Sequence, residues 1–428
     1  MRGCCVVAST APQPLPRCLW TIIESMKNSK NGIVDTDPSR EETGAMEGGI
    51  LTTHVGSLPR NAKLSDLLIR QEAGEAIDAE ELRREKEKAV SRVVQKQVEA
   101  GVDIINDGEQ PRVGFQTYVP QRMKGFGGAS VRNVPLDYQE FPDFTEMVGR
   151  RFPRRSNASN PPKAVSDVRY EDLSEAREEV AFFDAACRKM DGRFSGRFMT
   201  AASPGIIATT MPNAYYETYE RYLFALAKEM RKEYELIIES GLTLQLDAPD
   251  LAMERTILFQ DKSLKEFLSM VDLHVAALNE AVKGFPRERV RLHCCWGNWE
   301  GPHLHDVPLS DIFPLLCKAD AGALSIEFAN PRHQHELKEL RKLRFPDDKV
   351  LIPGVIESTS NFVEHPQLIA DRIIEAVTAV GDRTRVIAGV DCGFGTFTGY
   401  EFVAESIVWA KLRALTDGAG LATELLQR

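Results

Sequence analysis

The sequence of 428 residues lacks several features that would assign it to whole classes of protein. It has no dense run of lysine and arginine beside aromatic residues, and its formal net charge is -10, so nucleic acid and anionic membranes are not expected partners. No apolar stretch reaches the roughly 18 residues of a transmembrane helix. Eight cysteines are too few for a disulfide scaffold in so long a chain. The adjacent pair Cys294 and Cys295 suits a reducing compartment, which predicts a cytoplasmic protein. A homo-oligomer is compatible with these observations.

The first 48 residues differ in composition from the rest of the chain. They begin with a stretch rich in cysteine and proline that has no periodicity, and they continue into a polar, acidic segment. We expect a disordered extension here. An organelle-targeting peptide is the alternative, favoured by Arg2, Arg17 and an acid-free start. Residues 49–428 are expected to form a single domain.

From residue 49 onwards, apolar runs typical of strands alternate with amphipathic segments typical of helices. The runs lie at 50–55, 102–106, 197–202, 242–246, 289–293, 323–328, 349–353 and 385–390. Strict alternation implies parallel strands with right-handed crossovers, and eight such units fit a closed α/β fold, the (β/α)₈ TIM barrel. An open doubly wound sheet is the alternative, but no glycine-rich dinucleotide fingerprint follows the first run. The weakly periodic residues 113–162 predict an insertion after the second strand, a hairpin and flap over the site.

Four side chains that bind soft metals stand at the predicted carboxyl ends of strands, which share one face of a barrel. His293 and Cys295 lie two residues apart in an extended strand and therefore point to the same side. Glu327 and Cys392 end two other strands. A single buried cysteine is more often an inert apolar residue, so the combination carries the interpretation. We predict that these four residues bind Zn²⁺, and their spacing matches no zinc finger, which favours a catalytic ion.

A zinc ion with ligands from scattered strands suggests one kind of chemistry in particular. Such an ion lowers the pKa of an incoming thiol and keeps it as a thiolate, the nucleophile for alkyl transfer. No protein general base is then needed, which suits a sequence without an obvious Ser-His-Asp set.

The motifs in this region resemble those of the C-terminal catalytic barrel of cobalamin-independent methionine synthase, and more broadly of the zinc thiol-alkyltransferases with that fold. The resemblance runs from residue 49 to the C-terminus and is carried, in this order, by residues 52–59, 107–109, 245–250, 293–295, 325–327 and 391–393. It implies the same four zinc ligands. It also implies that Ser57 with its turn, Glu109 and Asp247 hold the carboxylate and ammonium of homocysteine, and that the two acids serve catalysis. For Asp247, a helix N-cap is an equally good interpretation.

Two departures from the family pattern leave the methyl donor open. The turn after the seventh strand contains Glu357 and no histidine, and the N-terminal half of the long methionine synthases has no counterpart. Glu357 and Asn298, both at strand ends, complete the predicted substrate site.

Three functions remain as hypotheses. The first is a zinc-dependent methyltransferase making methionine from homocysteine and a methylfolate donor. The second is a thiol alkyltransferase using an epoxide, another electrophile or another thiol, and the third is a barrel that binds a thiol or metal without catalysis. Four histidines after strands five and six are candidates for the donor pocket: His303, His305, His333 and His335. The segment that leads into His333 is equally typical of a helix start.

Overall fold

The computed structural model describes residues 48–152, 156, 160–190 and 192–428. The predicted N-terminal extension, apart from its last residue, lies outside the described residues, so its disorder or targeting role stays a prediction.

Eight parallel strands form a closed barrel. Strands two to eight form a seven-stranded sheet in chain order: Ile104–Ile105, Gly196–Ala202, Thr243–Asp247, Val290–Cys294, Ala323–Ile326, Val350–Ile356 and Gly389–Val390. The first barrel strand, at Thr52 and Thr53, bridges the two edges of that sheet. Thr53 N donates to the Ala388 carbonyl at 2.8 Å, and Ile104 N donates to the Thr52 carbonyl at 3.0 Å. The predicted (β/α)₈ barrel is therefore confirmed.

The helices surround the barrel and follow the predicted alternation. They span Ala62–Glu72, Ala79–Glu99, Ser174–Arg188, Pro204–Thr210, Tyr219–Glu239, Leu264–Val282, Leu309–Leu316, Glu336–Leu343, Pro366–Val380 and Glu405–Gln427, with 3₁₀ turns at Pro249–Leu251, Met253–Thr256, Arg287–Arg289 and Arg383–Arg385. Local sequence signals determine where some of these helices begin and end. Ser263 and Glu266 form a reciprocal capping box, and Gly381 ends a helix in the left-handed conformation, at φ 80°.

The insertion after strand two contains a hairpin, as predicted, but the second strand of that hairpin lies beyond the predicted bounds of 113–162. Its antiparallel strands are Lys124–Gly127 and Lys163–Arg169, with short helices at Val119–Arg122, Leu136–Glu140 and Pro142–Arg151. Two buried guanidiniums fix its base: Arg112 and Arg122 both bond Glu179 and lie 4.4 and 4.5 Å from the ring centre of Tyr118. Asp137 accepts from Leu304 N at 3.0 Å, so the insertion packs on the loop after strand five, at the carboxyl end of the barrel.

The barrel interior changes character from floor to mouth. Its floor is apolar and includes Ile104, Phe198 and Ile352. Because side chains alternate along each strand, the next inward positions of strands two to five are polar: Asn106, Thr200, Gln245 and Arg291. The outward positions pack against the helices. Among the described helices, none combines the length and apolar character that crossing a bilayer requires.

Candidate metal centre and substrate site

Three predicted metal ligands converge at the mouth of the barrel. One ligand atom each of His293, Cys295 and Cys392 lie within 4.8 Å of one another, and all three side chains are buried. The two sulfur atoms are 3.9 Å apart. A tetrahedral zinc ion with Zn–S bonds of about 2.3 Å separates two thiolates by about 3.8 Å. The spacing of the two thiols therefore fits a shared zinc ion.

The orientation of His293 also fits metal binding. Its Nδ1 lies 3.1 Å from Asp247 Oδ1, while its buried Nε2 has no hydrogen-bond partner among the described residues. Histidines that bind metals usually donate their second ring N–H to a carboxylate or carbonyl, which leaves the other nitrogen for the ion. Burial alone would lower the pKa of His293, but the Cys295 thiolate and the Asp247 carboxylate raise it to about 10. This imidazole thus lies in a strongly anionic environment.

The contact between the two thiols shifts their pKa values in opposite directions. The hydrogen bond from Cys392 Sγ, together with the charge on His293, lowers the pKa of Cys295 to about 5 despite its burial. The same contact and burial raise the pKa of Cys392. Cys295 thus has the lower pKa of the two thiols, and the thiolate is the form of cysteine that binds metal.

Glu327 lies beside this group but outside it. Its Oε1 accepts from Trp296 N at 3.3 Å, and its Oε2 accepts from Asn330 Nδ2 at 2.8 Å. Asp391, the residue before Cys392, accepts from Asn330 N at 2.7 Å and so fixes the loop that carries Glu327. Burial and the Cys295 charge raise the pKa of Glu327. The carboxyl would need to turn toward the thiols to serve as a fourth ligand.

The other two predicted acids, Glu109 and Asp247, follow strands two and four and interact electrostatically. Glu109 has a φ of 51°, an uncommon conformation for a residue with a side chain. Its Oε1 accepts from Thr200 Oγ1 at 2.9 Å, and its buried Oε2 has no partner in the described chain. Burial, followed by the charge of Asp247, raises its pKa to about 8. A ligand cation between the two carboxyls would relieve both effects.

The predicted turn at Ser57 lies against the loop that carries Cys392. The Ser57 carbonyl accepts from Phe394 N at 2.8 Å, and a Cβ placed on Gly393 would lie 2.0 Å from Ser57 Oγ. Only glycine therefore fits at Gly393 without a shift. The turn at Ser57 thus packs directly against the loop of the candidate metal ligand Cys392.

Asn298 and Glu357 make contacts within the loops at the barrel mouth. Asn298 Nδ2 donates to the Gly393 carbonyl and to Thr396 Oγ1, both at 2.6 Å, and its Oδ1 accepts from Ser358 Oγ at 3.0 Å. The Glu357 carboxylate accepts from the backbone N–H groups of residues 359 and 360, both at 2.6 Å. Asn298 thus connects three loops, and Glu357 stabilises its own turn. Substrate contact by either residue stays a prediction.

Two of the four histidines form a network with Asp306. His303 Nδ1 and His333 Nε2 lie 2.8 and 2.9 Å from Asp306 Oδ2, and the rings stack on Trp299 and Trp296, respectively. His305 instead pairs with Glu140 of the insertion, and His335 precedes the helix Glu336–Leu343. The structure thus joins the loops after strands five and six rather than gathering all four rings.

Several residues at the site have no assigned role in the sequence interpretation. Thr200 holds Glu109, Asn330 and Asp391 hold Glu327, and Asn106 directs a buried, unpartnered Nδ2 toward the same end of the barrel. The available signal was strand alternation, because a polar residue at an inward position of a barrel strand needs a partner there.

The fold and site define a (β/α)₈ barrel with a buried His–Cys–Cys donor set at the carboxyl ends of its strands. Residues 50–137 match the family model described as the catalytic domain of cobalamin-independent synthase. The chain is 26% identical over 380 residues to a methionine synthase of Saccharolobus solfataricus, covering 88% of this chain and 96% of that protein. Its fold matches a B12-independent methionine synthase from a Shewanella species, solved in complex with selenomethionine, with a TM-score of 0.65 and 20% identity over 89% of this chain and 99% of that one. The predicted resemblance to the cobalamin-independent methionine synthase catalytic domain is confirmed.

Proposed function

We propose that this protein is a zinc-dependent S-methyltransferase that makes methionine from homocysteine and a methylated folate. The observation that carries the proposal is the buried group of His293, Cys295 and Cys392, with sulfur atoms 3.9 Å apart and a free imidazole nitrogen. The similarity to methionine synthases in sequence and fold supports the same conclusion.

In this proposal, His293, Cys295 and Cys392 would hold the zinc ion, and Glu327 would be the fourth protein ligand. When bound, zinc would lower the pKa of the substrate thiol and hold it as a thiolate. The residues of this group are nearly fully buried, which limits their contact with solvent. The chain's own task is therefore to keep two thiols and one imidazole at metal-binding spacing in a buried site.

The two remaining acids bind the amino-acid part of the substrate. Glu109 Oε2 and the Asp247 carboxylate receive the ammonium, and the turn ending at Ser57 offers N–H groups and a hydroxyl to the carboxylate. With both ends fixed, the substrate sulfur approaches the methyl carbon in line with its bond to the donor nitrogen. The S–C bond forms as the N–C bond breaks, and the donor nitrogen takes up a proton.

Exchange of Cys392 for serine tests the proposal. We expect Cys392→Ser to lower bound zinc from about one ion to under a tenth of an ion per chain, and to abolish methionine formation from homocysteine and methylfolate. The matched control is Cys294→Ala, because Cys294 is next to Cys295 but packs into the core outside the barrel interior. The control should keep both zinc and turnover. Full turnover by a metal-free Cys392→Ser protein would contradict the proposal.

A second candidate is a zinc-dependent thiol alkyltransferase that uses an epoxide or another electrophile. The turn after strand seven favours it, because that turn lacks a histidine and its Glu357 carboxylate is bonded to the turn's own backbone. Supplying the zinc-loaded protein with homocysteine and either methylfolate or a panel of epoxides separates the two candidates. Product from methylfolate alone supports the first, and product from an epoxide alone supports the second. The cytoplasmic location and a homo-oligomeric state stay predictions.

A further inference from the structure

Two polar residues inside the barrel form a hydrogen-bonded layer directly below the metal centre. Gln245 and Arg291 are paired across strands four and five, and the next inward pair is Asp247 and His293. Arg291 Nε donates to Gln245 Oε1 at 2.6 Å, and Gln245 Nε2 donates to Asp247 Oδ1 at 2.7 Å. Asp247 Oδ1 in turn lies 3.1 Å from His293 Nδ1. A continuous chain of hydrogen bonds therefore runs from the barrel interior to a candidate metal ligand.

The partners of the Gln245 amide leave it only one orientation. Its oxygen faces a guanidinium, which can only donate, while its nitrogen faces the Val55 carbonyl and the Asp247 carboxylate, which only accept. The side chain thus joins three features: the turn proposed for the substrate carboxylate, the acid proposed for its ammonium, and Arg291. A shift of this amide would disturb both the metal end and the substrate end of the site.

Arg291 is a buried cation, and within the described part of the chain its hydrogen bonds go to neutral groups. Besides Gln245, it donates to Thr53 Oγ1 at 3.1 Å and to the His54 carbonyl at 2.6 Å, and it lies 3.6 Å from the ring centre of Phe198. Its side chain is 3% exposed. A buried charge is costly unless other charges compensate for it. Burial lowers the pKa of Arg291 to about 9, and the charge of Asp247 opposes that shift in part.

We propose that Gln245 and Arg291 are positioning residues of the metal centre, which hold Asp247 and, through it, orient His293 so that its Nε2 stays free for the ion. The inference rests on the proposed zinc function. Outer-shell partners of this kind usually change metal affinity by about 10–100-fold when they are removed. A role in packing alone would affect folding stability but not metal affinity.

The test is the zinc dissociation constant of full-length variants, measured by competition with a chelator and compared with thermal stability. Gln245→Met keeps the side-chain length and removes all three hydrogen bonds, so we expect about 10–100-fold weaker zinc binding. Arg291→Lys keeps the charge but cannot keep three separate donors in place, so a loss of about 3–10-fold is expected. If Gln245→Met does not fold, Arg291→Lys still tests the inference. Cobalt-substituted Gln245→Met should show altered ligand-field bands.

The matched control is Lys349→Met. Lys349 is another buried cation that bonds only neutral carbonyls, those of Ala319 and Ala321, but it lies just before strand seven, at the opposite end of the barrel. Its loss should lower thermal stability and leave zinc affinity within threefold of wild type. Folded Gln245→Met or Arg291→Lys protein with wild-type zinc affinity would overturn the inference and leave the proposed function standing. Wild-type protein that binds no zinc would overturn the proposed function as well.

Discussion

Replacing Glu109 by glutamine tests the amino-acid end of the proposed substrate site without touching a candidate metal ligand. The amide oxygen of the variant can keep the bond from Thr200 Oγ1, which in the wild type is 2.9 Å long. What the variant loses is the ability of Oε2, the buried atom with no partner in the described chain, to become negatively charged beside an ammonium. The substitution therefore separates ammonium binding from the local packing of the strand end.

The expected magnitude follows from that single contact. A hydrogen bond to a charged group contributes about 1.5–3 kcal/mol, and each 1.4 kcal/mol changes affinity about tenfold. Glu109→Gln should thus weaken homocysteine binding by about 10–100-fold. Asp247 remains to hold the ammonium, so binding should not vanish. Zinc content should equal that of the wild type.

Calorimetric titration of the zinc-loaded protein measures the effect, with two controls. A thiol that carries the carboxylate but no ammonium should bind wild type and Glu109→Gln equally. Asp103→Asn removes a partly buried acid at the opposite end of the same strand, where Asp103 bonds Thr52, and should leave homocysteine affinity unchanged. An equal loss for both thiols, or no loss for homocysteine, would refute the assignment of Glu109 to the ammonium.

Two further predictions concern acid stability and the Cys392 loop. Burial would raise the pKa of Glu179, but Arg112 and Arg122 outweigh burial and lower the pKa to about 2. This carboxylate therefore stabilises the fold fully above its unfolded pKa of about 4.3. The stabilisation is lost as the pH falls through about 2. Urea unfolding of wild type and Glu179→Gln should therefore differ by roughly 3 kcal/mol more at pH 6 than at pH 2, and a pH-independent difference would contradict this. A Cβ at Gly393 would lie 2.0 Å from Ser57 Oγ. Gly393→Ala should therefore lower the free energy of unfolding by about 1–3 kcal/mol and weaken zinc binding at least tenfold. The control is Gly420→Ala, where a Cβ meets nothing within 4 Å, and it should have neither effect.

The barrel and the convergence of the ligands could be predicted because both depend on local patterns. Apolar runs of strand length identify the strands, and alternation within Val290–Cys294 and beyond puts His293 and Cys295 on one side. The partners of buried charges could not be predicted from the sequence. Glu179 is bonded by guanidiniums 67 and 57 residues away, and no local pattern selects those partners from the other arginines. For the same reason, the sequence could flag Arg291 as a charge in an apolar strand but could not connect it to Gln245.

The charge distribution at the barrel mouth favours two bound cations rather than one. Burial together with neighbouring anions raises the pKa of Glu109 to about 8 and raises the pKa of Glu327, although their nearest anions differ: Asp247 for the first and the Cys295 thiolate for the second. A divalent ion between the thiols would relieve Glu327, but an ammonium is the better match for Glu109, whose neighbour Asp247 also supports His293. We therefore expect an amino-acid thiol to bind this barrel more tightly than a thiol of equal length without an ammonium group.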